Sequence, residues 1–187
     1  LEVNTNFKFK LNEKWSTGFL LHASARTIEN DLNKDGFLDN PLKQNFIGIN
    51  RWKYSDSSGL MGQIGIEGVG MESIGGQMNF DKNQVIDTAN PWGAHTKISR
   101  LRGWAKMGKV FYNHPGRSIA VQTSFSTYNQ KSLFGLNNYE AKQNSGYVNF
   151  IYQDLIGTTD HTYFMGASML YDDYDEKVNS VDYSREE

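Results

Sequence analysis

The residues best suited to chemistry lie in one acidic turn, Asp31-Leu32-Asn33-Lys34-Asp35-Gly36-Phe37-Leu38-Asp39. Oxygen-bearing side chains at alternate positions around a glycine can gather several oxygens around one Ca²⁺ ion, as an EF-hand loop does. Four side chains match the first, third, fifth and ninth positions of such a loop: Asp31, Asn33, Asp35 and Asp39. Leu42, however, stands where the bidentate Glu is needed, and the flanks indicate strands rather than helices. The alternative interpretation is a turn whose side chains accept hydrogen bonds from their own backbone.

Two predicted loops combine aromatic rings with amides. Rings can stack on a ligand while amides hydrogen-bond to it, which makes such loops suited to ligand binding. The candidate ligand-binding residues are Phe80, Trp92, His95, Phe134, Asn137 and Asn138. The alternative, in which these side chains pack on one another, fits the sequence equally well.

The composition argues against several classes of function. The net charge is −2, so the chain lacks the positive charge typical of nucleic-acid binding. It has no cysteine, which removes disulfides, thiolate metal sites and a cysteine nucleophile. The histidines show no spacing typical of a zinc site, and no Ser/His/Asp set can be assembled. The chain is therefore predicted not to be an enzyme, with Ca²⁺ as its one candidate cofactor.

The elements that position these residues are predicted to be strands. Apolar or aromatic residues alternate with polar ones between clusters of turn-forming residues along the whole chain. Eight strands are predicted, at about 2–11, 15–30, 43–54, 60–73, 98–112, 118–130, 140–154 and 161–173. No apolar run approaches the roughly 20 residues of a membrane-spanning helix. The three prolines, Pro41, Pro91 and Pro115, all fall between predicted strands, where a missing N–H breaks no ladder.

The connections between the predicted strands alternate in length. Tight turns are predicted near positions 12, 57, 115 and 158, and longer loops at 31–42, 74–97, 131–139 and from 174 onward. Short turns on one side and long loops on the other are typical of outer-membrane barrels. The prediction is an all-β, antiparallel transmembrane β-barrel meander of about eight strands, with residues 1–187 as a single barrel segment.

The predicted strands have distinct faces. In the eighth, an apolar face carries an aromatic residue at each end, as the two membrane interfaces favour: Tyr163, Met165, Ala167, Met169 and Tyr171. A predicted lumen face carries a basic stripe beside Glu67: Arg51, Lys53, Arg100, Arg102 and Lys106. The stripe is compatible with anionic ligands, or with a solvated wall whose charges are paired internally.

Two stretches resemble the barrel region of TonB-dependent outer-membrane receptors. The first runs from Asn33-Lys34-Asp35-Gly36-Phe37-Leu38-Asp39-Asn40-Pro41 to Asn50-Arg51-Trp52-Lys53-Tyr54. The second is Leu133-Phe134-Gly135-Leu136-Asn137-Asn138-Tyr139 followed by Lys142-Gln143-Asn144-Ser145. The resemblance implies a place in the middle of a 22-stranded barrel in the outer membrane of a Gram-negative bacterium.

The resemblance also implies a function, which is binding of a scarce extracellular ligand for TonB-coupled uptake. The expected partners are outer-membrane lipid, a ligand such as siderophore-bound iron, cobalamin or a glycan, and TonB, with no nucleic acid. Because the sequence contains neither a plug domain nor a TonB box, it is expected to be a barrel segment that engages TonB through a separate N-terminal part. Two alternatives stay open: a self-contained eight-stranded barrel acting as an adhesin or anchor, and an outer-membrane enzyme. The first alternative requires the first and last strands to pair.

Overall fold

The structure is a computed structural model that describes residues 1–84, 91–157 and 161–187. The predicted turn residues Thr158, Thr159 and Asp160, and part of the predicted loop 74–97, lie outside these ranges. The described residues form ten strands. They are β1 (Glu2–Lys10), β2 (Trp15–Arg26), β3 (Leu42–Ser55), β4 (Leu60–Gly76), β5 (Gly93–Val110), β6 (Ser118–Phe134), β7 (Asn137–Leu155), β8 (Thr162–Val178), β9 (Val181–Asp182) and β10 (Arg185–Glu186).

The strands form one antiparallel sheet in sequence order, which confirms the predicted all-β meander. Each of the first seven strands pairs with the next one along the chain. No helix long and apolar enough to cross a membrane occurs in the part of the chain that the structure describes. The three prolines lie in the connections between strands, as predicted.

The sheet continues past the eighth predicted strand, where a loop was predicted from residue 174 onward. Strand β8 runs to Val178, and Asn179, with a φ of 54°, turns the chain back along the free edge of β8. Strands β9 and β10 pair with β8 in succession and together make a short ninth strand. The charged residues here have low strand propensity, but their pairing with β7 overrides it.

The predicted loop over 131–139 is in fact a tight hairpin. Strands β6 and β7 are joined by Gly135 and Leu136 alone, so their ladder extends well past both predicted strand ends. Gly135 has a φ of 59°, the sign that the first position of a two-residue hairpin turn requires. The strict alternation of short and long connections therefore fails at this point. We call this end of the sheet, with connections 27–41, 77–92 and 135–136, the loop end, and the opposite end the turn end.

The strand register divides the sheet into an apolar face and a polar face. The central row of the apolar face is Phe9, Thr17, Trp52, Ile64, Ala105, Thr123, Val148 and Met169. The row nearer the loop end is Phe7, Phe19, Asn50, Ile66, Gly103, Phe125, Gly146 and Tyr171. The row nearer the turn end is Trp15, Tyr54, Gly62, Met107, Val121, Phe150 and Ala167. None of these residues is charged.

The polar face consists of the residues between those rows. One row is Lys10, Ser16, Lys53, Gln63, Lys106, Gln122, Asn149 and Ser168. The next is Lys8, Gly18, Arg51, Gly65, Trp104, Ser124, Tyr147 and Leu170. Because side chains in a strand alternate between the two sides, these residues and the apolar rows point in opposite directions.

The sheet is a single layer without a hydrophobic core. No apolar side chain is buried among the described residues, and Phe125 and Met169 are 60% and 67% exposed. A sheet with one apolar face must cover that face with another layer or with lipid. The sheet is also open: within residues 1–84, 91–157 and 161–187, β1 pairs only with β2 and makes no ladder with β8. The first-to-last pairing that a self-contained barrel requires is therefore not present in the described structure.

Candidate functional site

The predicted ligand-binding residues come together at the loop end of strands β5, β6 and β7. Gly76 and Gly93 are register partners where β4 ends and β5 begins, so the connection 77–92 starts and finishes at one point. The Gln77 N–H donates to the Trp92 carbonyl at 2.9 Å, and the Trp92 N–H donates to Gln77 Oε1 at 2.6 Å. This closed base holds Phe80 and Trp92 over the sheet.

Two aromatic rings lie directly on glycine backbone. The ring of Phe80 occupies the place that a Cβ on Gly93 would take, and the Trp92 indole lies so that Nε1 is 2.7 Å from a Cβ built on Gly135. Glycine is needed at both positions because any side chain would displace a ring. Trp92 is 53% exposed and Phe134 is 45% exposed, so both present aromatic surface to solvent.

The predicted amides lie beside these rings and are joined by Asn179, which the sequence analysis missed. The Asn138 N–H donates to Asn179 Oδ1 at 2.9 Å, and Asn179 Nδ2 donates to Asn137 Oδ1 at 3.1 Å. In the described part of the chain, the Asn138 side-chain amide has no hydrogen-bond partner, which leaves it for a ligand. The signal for Asn179 was its residue type, because asparagine tolerates the positive φ of a strand reversal.

His95 is predicted as a ligand-binding residue, but the structure pairs it with Glu72. His95 Nε2 lies 2.7 Å from Glu72 Oε1, and Lys82 Nζ lies 2.6 Å from the same oxygen. The Lys82 ammonium, followed by His95, lowers the pKa of Glu72 to about 2, although partial burial opposes the shift. Glu72 therefore anchors the connection 77–92 to strands β4 and β5. Neither Glu72 nor Lys82 stood out in the sequence, because neither belongs to a recognisable motif.

We expect the connection 77–92 to loosen in acid through Glu72. The lowered pKa stabilises the folded loop above pH 4.5, and this contribution is lost as the pH falls from 4.5 towards 2. The fluorescence of Trp92, in a variant whose other tryptophans are phenylalanine, should show a transition in this range. Glu72→Gln should abolish the transition, whereas Glu140→Gln, which breaks the Lys131–Glu140 pair one hairpin away, should retain it. A transition that persists in Glu72→Gln would contradict the assignment.

The acidic turn has the hydrogen bonds of a self-capping turn. Asp31 accepts hydrogen bonds from the N–H groups of Asp35 and Gly36, at 3.1 and 3.0 Å, and Asp35 accepts one from Phe37 at 2.9 Å. Asp39 Oδ2 accepts the Leu32 N–H at 2.9 Å, and the Asn33 amide donates to Asp35. Among the described residues, no group of three or more His, Cys, Asp or Glu side chains is placed to hold a metal ion. The hydrogen bonds are those of the turn interpretation, and the Ca²⁺ site stays a prediction from the sequence.

The acidic turn is also attached to the loop-end site. Phe37 forms a bridge with Gln77, the Leu38 N–H donates to the Gly76 carbonyl, and the Met78 N–H donates to the Gly36 carbonyl, the last two at 2.9 Å. Connections 27–41 and 77–92 therefore support each other. The self-capping turn contributes to the site because its residues 36–38 hold the backbone of residues 76–78 in place.

Comparison of the chain with protein-family models, with curated proteins and with solved structures found no match. The resemblance to TonB-dependent receptors therefore stays a prediction from the quoted stretches.

Proposed function

We propose that this sheet is part of the wall of a bacterial outer-membrane β-barrel that binds an extracellular ligand at its loop end for TonB-coupled uptake. The apolar face contacts lipid, the polar face contacts the water of the lumen, and the loop end faces the outside of the cell. The ligand is a siderophore-bound iron, a cobalamin or a glycan.

The observation that carries the proposal is a charge-free band across the apolar face, which charges border on both sides in β5, β6 and β7. The border charges are Lys97 and Lys109 in β5, Arg117 just before β6 and Lys131 near its end, and Lys142 and Asp154 in β7. Between them lie 11 residues of β5 (98–108), 13 of β6 (118–130) and 11 of β7 (143–153), close to the ~9–11 residues with which a tilted strand crosses a membrane. A soluble sheet that packs against another protein layer has no need for borders at this spacing.

Aromatic pairs lie along the turn-end border of the same band. The rings of Trp15 and Tyr54 are 5.0 Å apart, and those of Tyr152 and Tyr163 are 6.0 Å apart. Aromatic side chains with a polar tip are enriched at the membrane–water interface, where one end is dry and the other is wet. Their position supports a turn end at one membrane interface.

The open edges support a place in a larger barrel. In lipid, the N–H and C=O groups of an edge strand have no water to bond with, so a membrane sheet must be closed. In the structure described here, β1 lacks a partner on one side, and β8 is covered by β9 and β10 only near its loop end. Pairing with further strands satisfies both edges, as the resemblance to 22-stranded receptors implies.

The loop end has the chemistry of a ligand site. Exposed faces of Trp92 and Phe134 lie beside Asn137 and Asn138, which Asn179 joins by hydrogen bonds. The base beneath them is tied together by backbone hydrogen bonds from Gln77 to Trp92 and from Gly135 to Gly93. Flat rings suit the apolar faces of sugars and macrocycles, while amides hydrogen-bond to their polar edges. Coupling to TonB is assigned to an N-terminal part by the resemblance alone.

The membrane assignment is tested with two single-tryptophan variants in vesicles of lipids brominated on the acyl chains. Trp52 lies in the central row of the apolar face, and Trp104 lies on the polar face at nearly the same height. Bromine quenches tryptophan at contact, so the variant that keeps Trp52 should be quenched far more than the variant that keeps Trp104. Equal quenching of the two variants, or stronger quenching of Trp104, would refute the orientation.

A further inference from the structure

We infer that the polar face carries a binding site for a soluble ligand with two or more anionic groups, formed by a basic cluster in the middle of the sheet. The basic cluster consists of Lys8, Lys10, Arg51, Lys53, Arg102 and Lys106. The site is separate from the loop-end aromatic site. It deepens the proposed function because it names the chemistry of a ligand that would contact the polar face. It rests on that function in one respect, namely that the polar face is in contact with water.

The strand register places the cluster in three adjacent rows: Lys10, Lys53 and Lys106 in the first, Lys8 and Arg51 in the second, and Arg102 in the third. Lys10, Lys53 and Lys106 share one row and stand on every second strand, with Ser16 and Gln63 between them. Neighbouring strands are about 4.8 Å apart, so these lysines recur at roughly 10 Å. Along this row the lysine ammonium groups alternate with the neutral donors Ser16 and Gln63. A ligand with two anionic groups can satisfy two neighbouring positions at once.

The cluster has no carboxylate partners of its own. Within the described ranges, none of its six residues forms an ion pair, whereas seven other lysines and arginines do. The nearest acidic side chain in the rows is Glu67, the register partner of Arg102, and it accepts a hydrogen bond from Arg100 at 2.5 Å instead. Arg100 therefore pairs with Glu67, and the six cations of the cluster outnumber the two carboxylates, Glu13 and Glu67, that line the surface depressions around it. A bound anion relieves the repulsion between these cations.

The surface around the cluster has two adjoining depressions of small-molecule size. One has a volume of about 450 Å³ and includes Arg51 and Arg102, and the other has a volume of about 590 Å³ and includes Lys10 and Lys53. They meet at Lys106, with Gln63 and Gln122 shared between them. Volumes of roughly 300–1,000 Å³ are typical of sites for small ligands.

Trp104 lines the smaller depression. Its indole fills the space above Gly65, because a Cβ at that position would overlap the ring. Gly65 is the register partner of both Arg51 and Trp104. The indole therefore lies among the side chains of the basic cluster and not at the edge of the sheet. An apolar indole beside the cationic side chains keeps water away from them, so that water competes less with the anionic groups of a ligand.

A soluble ligand fits these observations better than a lipid headgroup. Headgroups meet the borders of the apolar band, whereas the basic cluster lies at the height of the middle of that band on the opposite face. Both arginine and lysine bind phosphate and carboxylate groups. The arginine guanidinium binds them as a planar fork, and the lysine ammonium binds them as a point charge. Pyrophosphate serves as the probe with phosphate groups, and citrate serves as the probe with carboxylate groups.

The experiment is calorimetric titration of the folded protein, in a neutral detergent, with pyrophosphate and separately with citrate. We expect saturable binding of at least one of them and none of maltose. Lys53→Gln/Lys106→Gln should raise the Kd at least about tenfold, because it removes two of the charges that hydrogen-bond to the anionic groups. Lys131→Gln/Lys142→Gln, which removes the same charge from the other side of the sheet, should leave the Kd within about twofold.

A second variant separates the site from a general effect of charge or folding. Lys53→Arg/Lys106→Arg keeps the charge and should retain binding, and all variants should keep the wild-type circular dichroism of the sheet. Absence of saturable binding of both probes to the wild-type protein, or equal weakening in the two glutamine variants, would overturn the inference. These results are independent of tryptophan quenching in brominated lipid, so failure of this site and failure of the membrane assignment can be told apart.

Discussion

Val148→Arg is expected to destabilise the protein in phospholipid vesicles by about 2–4 kcal/mol, the cost of an arginine facing lipid at the midplane. Val148 is in the central row of the apolar face, midway between the border charges Lys142 and Asp154 of β7. It is 47% exposed, so no protein layer separates it from the surroundings of the sheet. The measurement is the free energy of unfolding from denaturant titration in vesicles.

The matched control is Asn149→Arg, one residue further along the same strand. Asn149 belongs to the polar face, where its register partners are Gln122 and Ser168. An arginine there meets water and should change the free energy of unfolding by no more than about 0.5 kcal/mol. Similar losses for the two variants would show that the apolar face does not contact lipid, because only lipid makes the two sides of one strand so different.

Gly76→Ala is expected to disrupt the loop-end site. Gly76 has a φ of 119°, a conformation that side chains rarely adopt and that costs about 1–3 kcal/mol for other residues. An alanine Cβ would also lie 2.5 Å from Gly93 Cα and 2.6 Å from the Trp92 carbonyl oxygen, and these backbone atoms cannot move independently. Amide hydrogen exchange should rise at Gln77 and Met78, and the emission of Trp92 should shift to longer wavelength.

Gly75→Ala is the control for this prediction. A Cβ at Gly75 would lie 3.7 Å from Pro41 Cβ, which is ordinary van der Waals contact, and its φ is not positive. We expect hydrogen exchange at Gln77 and Trp92 emission to match those of the wild-type protein. If Gly76→Ala behaves like Gly75→Ala, the pairing of Gly76 with Gly93 does not organise the site.

The local pattern of the sequence predicted the strands and their faces well. Alternation with a period of two is a property of neighbouring residues, so it identifies β4 or β8 without knowledge of their partners. The prolines indicated the connections for a similarly local reason. A proline has no N–H to donate to a neighbouring strand, whichever strand that neighbour is. The division into one charge-free and one polar face follows once these strands are paired in register.

The assembly of the loop-end site depended on contacts between distant segments. Phe80 lies on Gly93 because β4 and β5 end in register, and His95 meets Glu72 only because that register places them near each other. The sequence identified Phe80, Trp92 and the two amides from residue type, but it could not show that they converge. It also treated His95 as available to a ligand, although a carboxylate from the neighbouring strand engages it.

The sequence alone therefore determined that this chain is an antiparallel sheet with one apolar face and one polar face. The tertiary structure decided where strands end, as at the two-residue turn Gly135–Leu136, and which side chains share the loop end. The physical reason is that alternation is encoded within each strand, whereas strand ends and sites are set by hydrogen bonds between strands. The sequence predicted a basic stripe on the polar face, but only the cross-strand register showed that Lys8 and Lys10 join it and that Arg100 pairs with Glu67 instead.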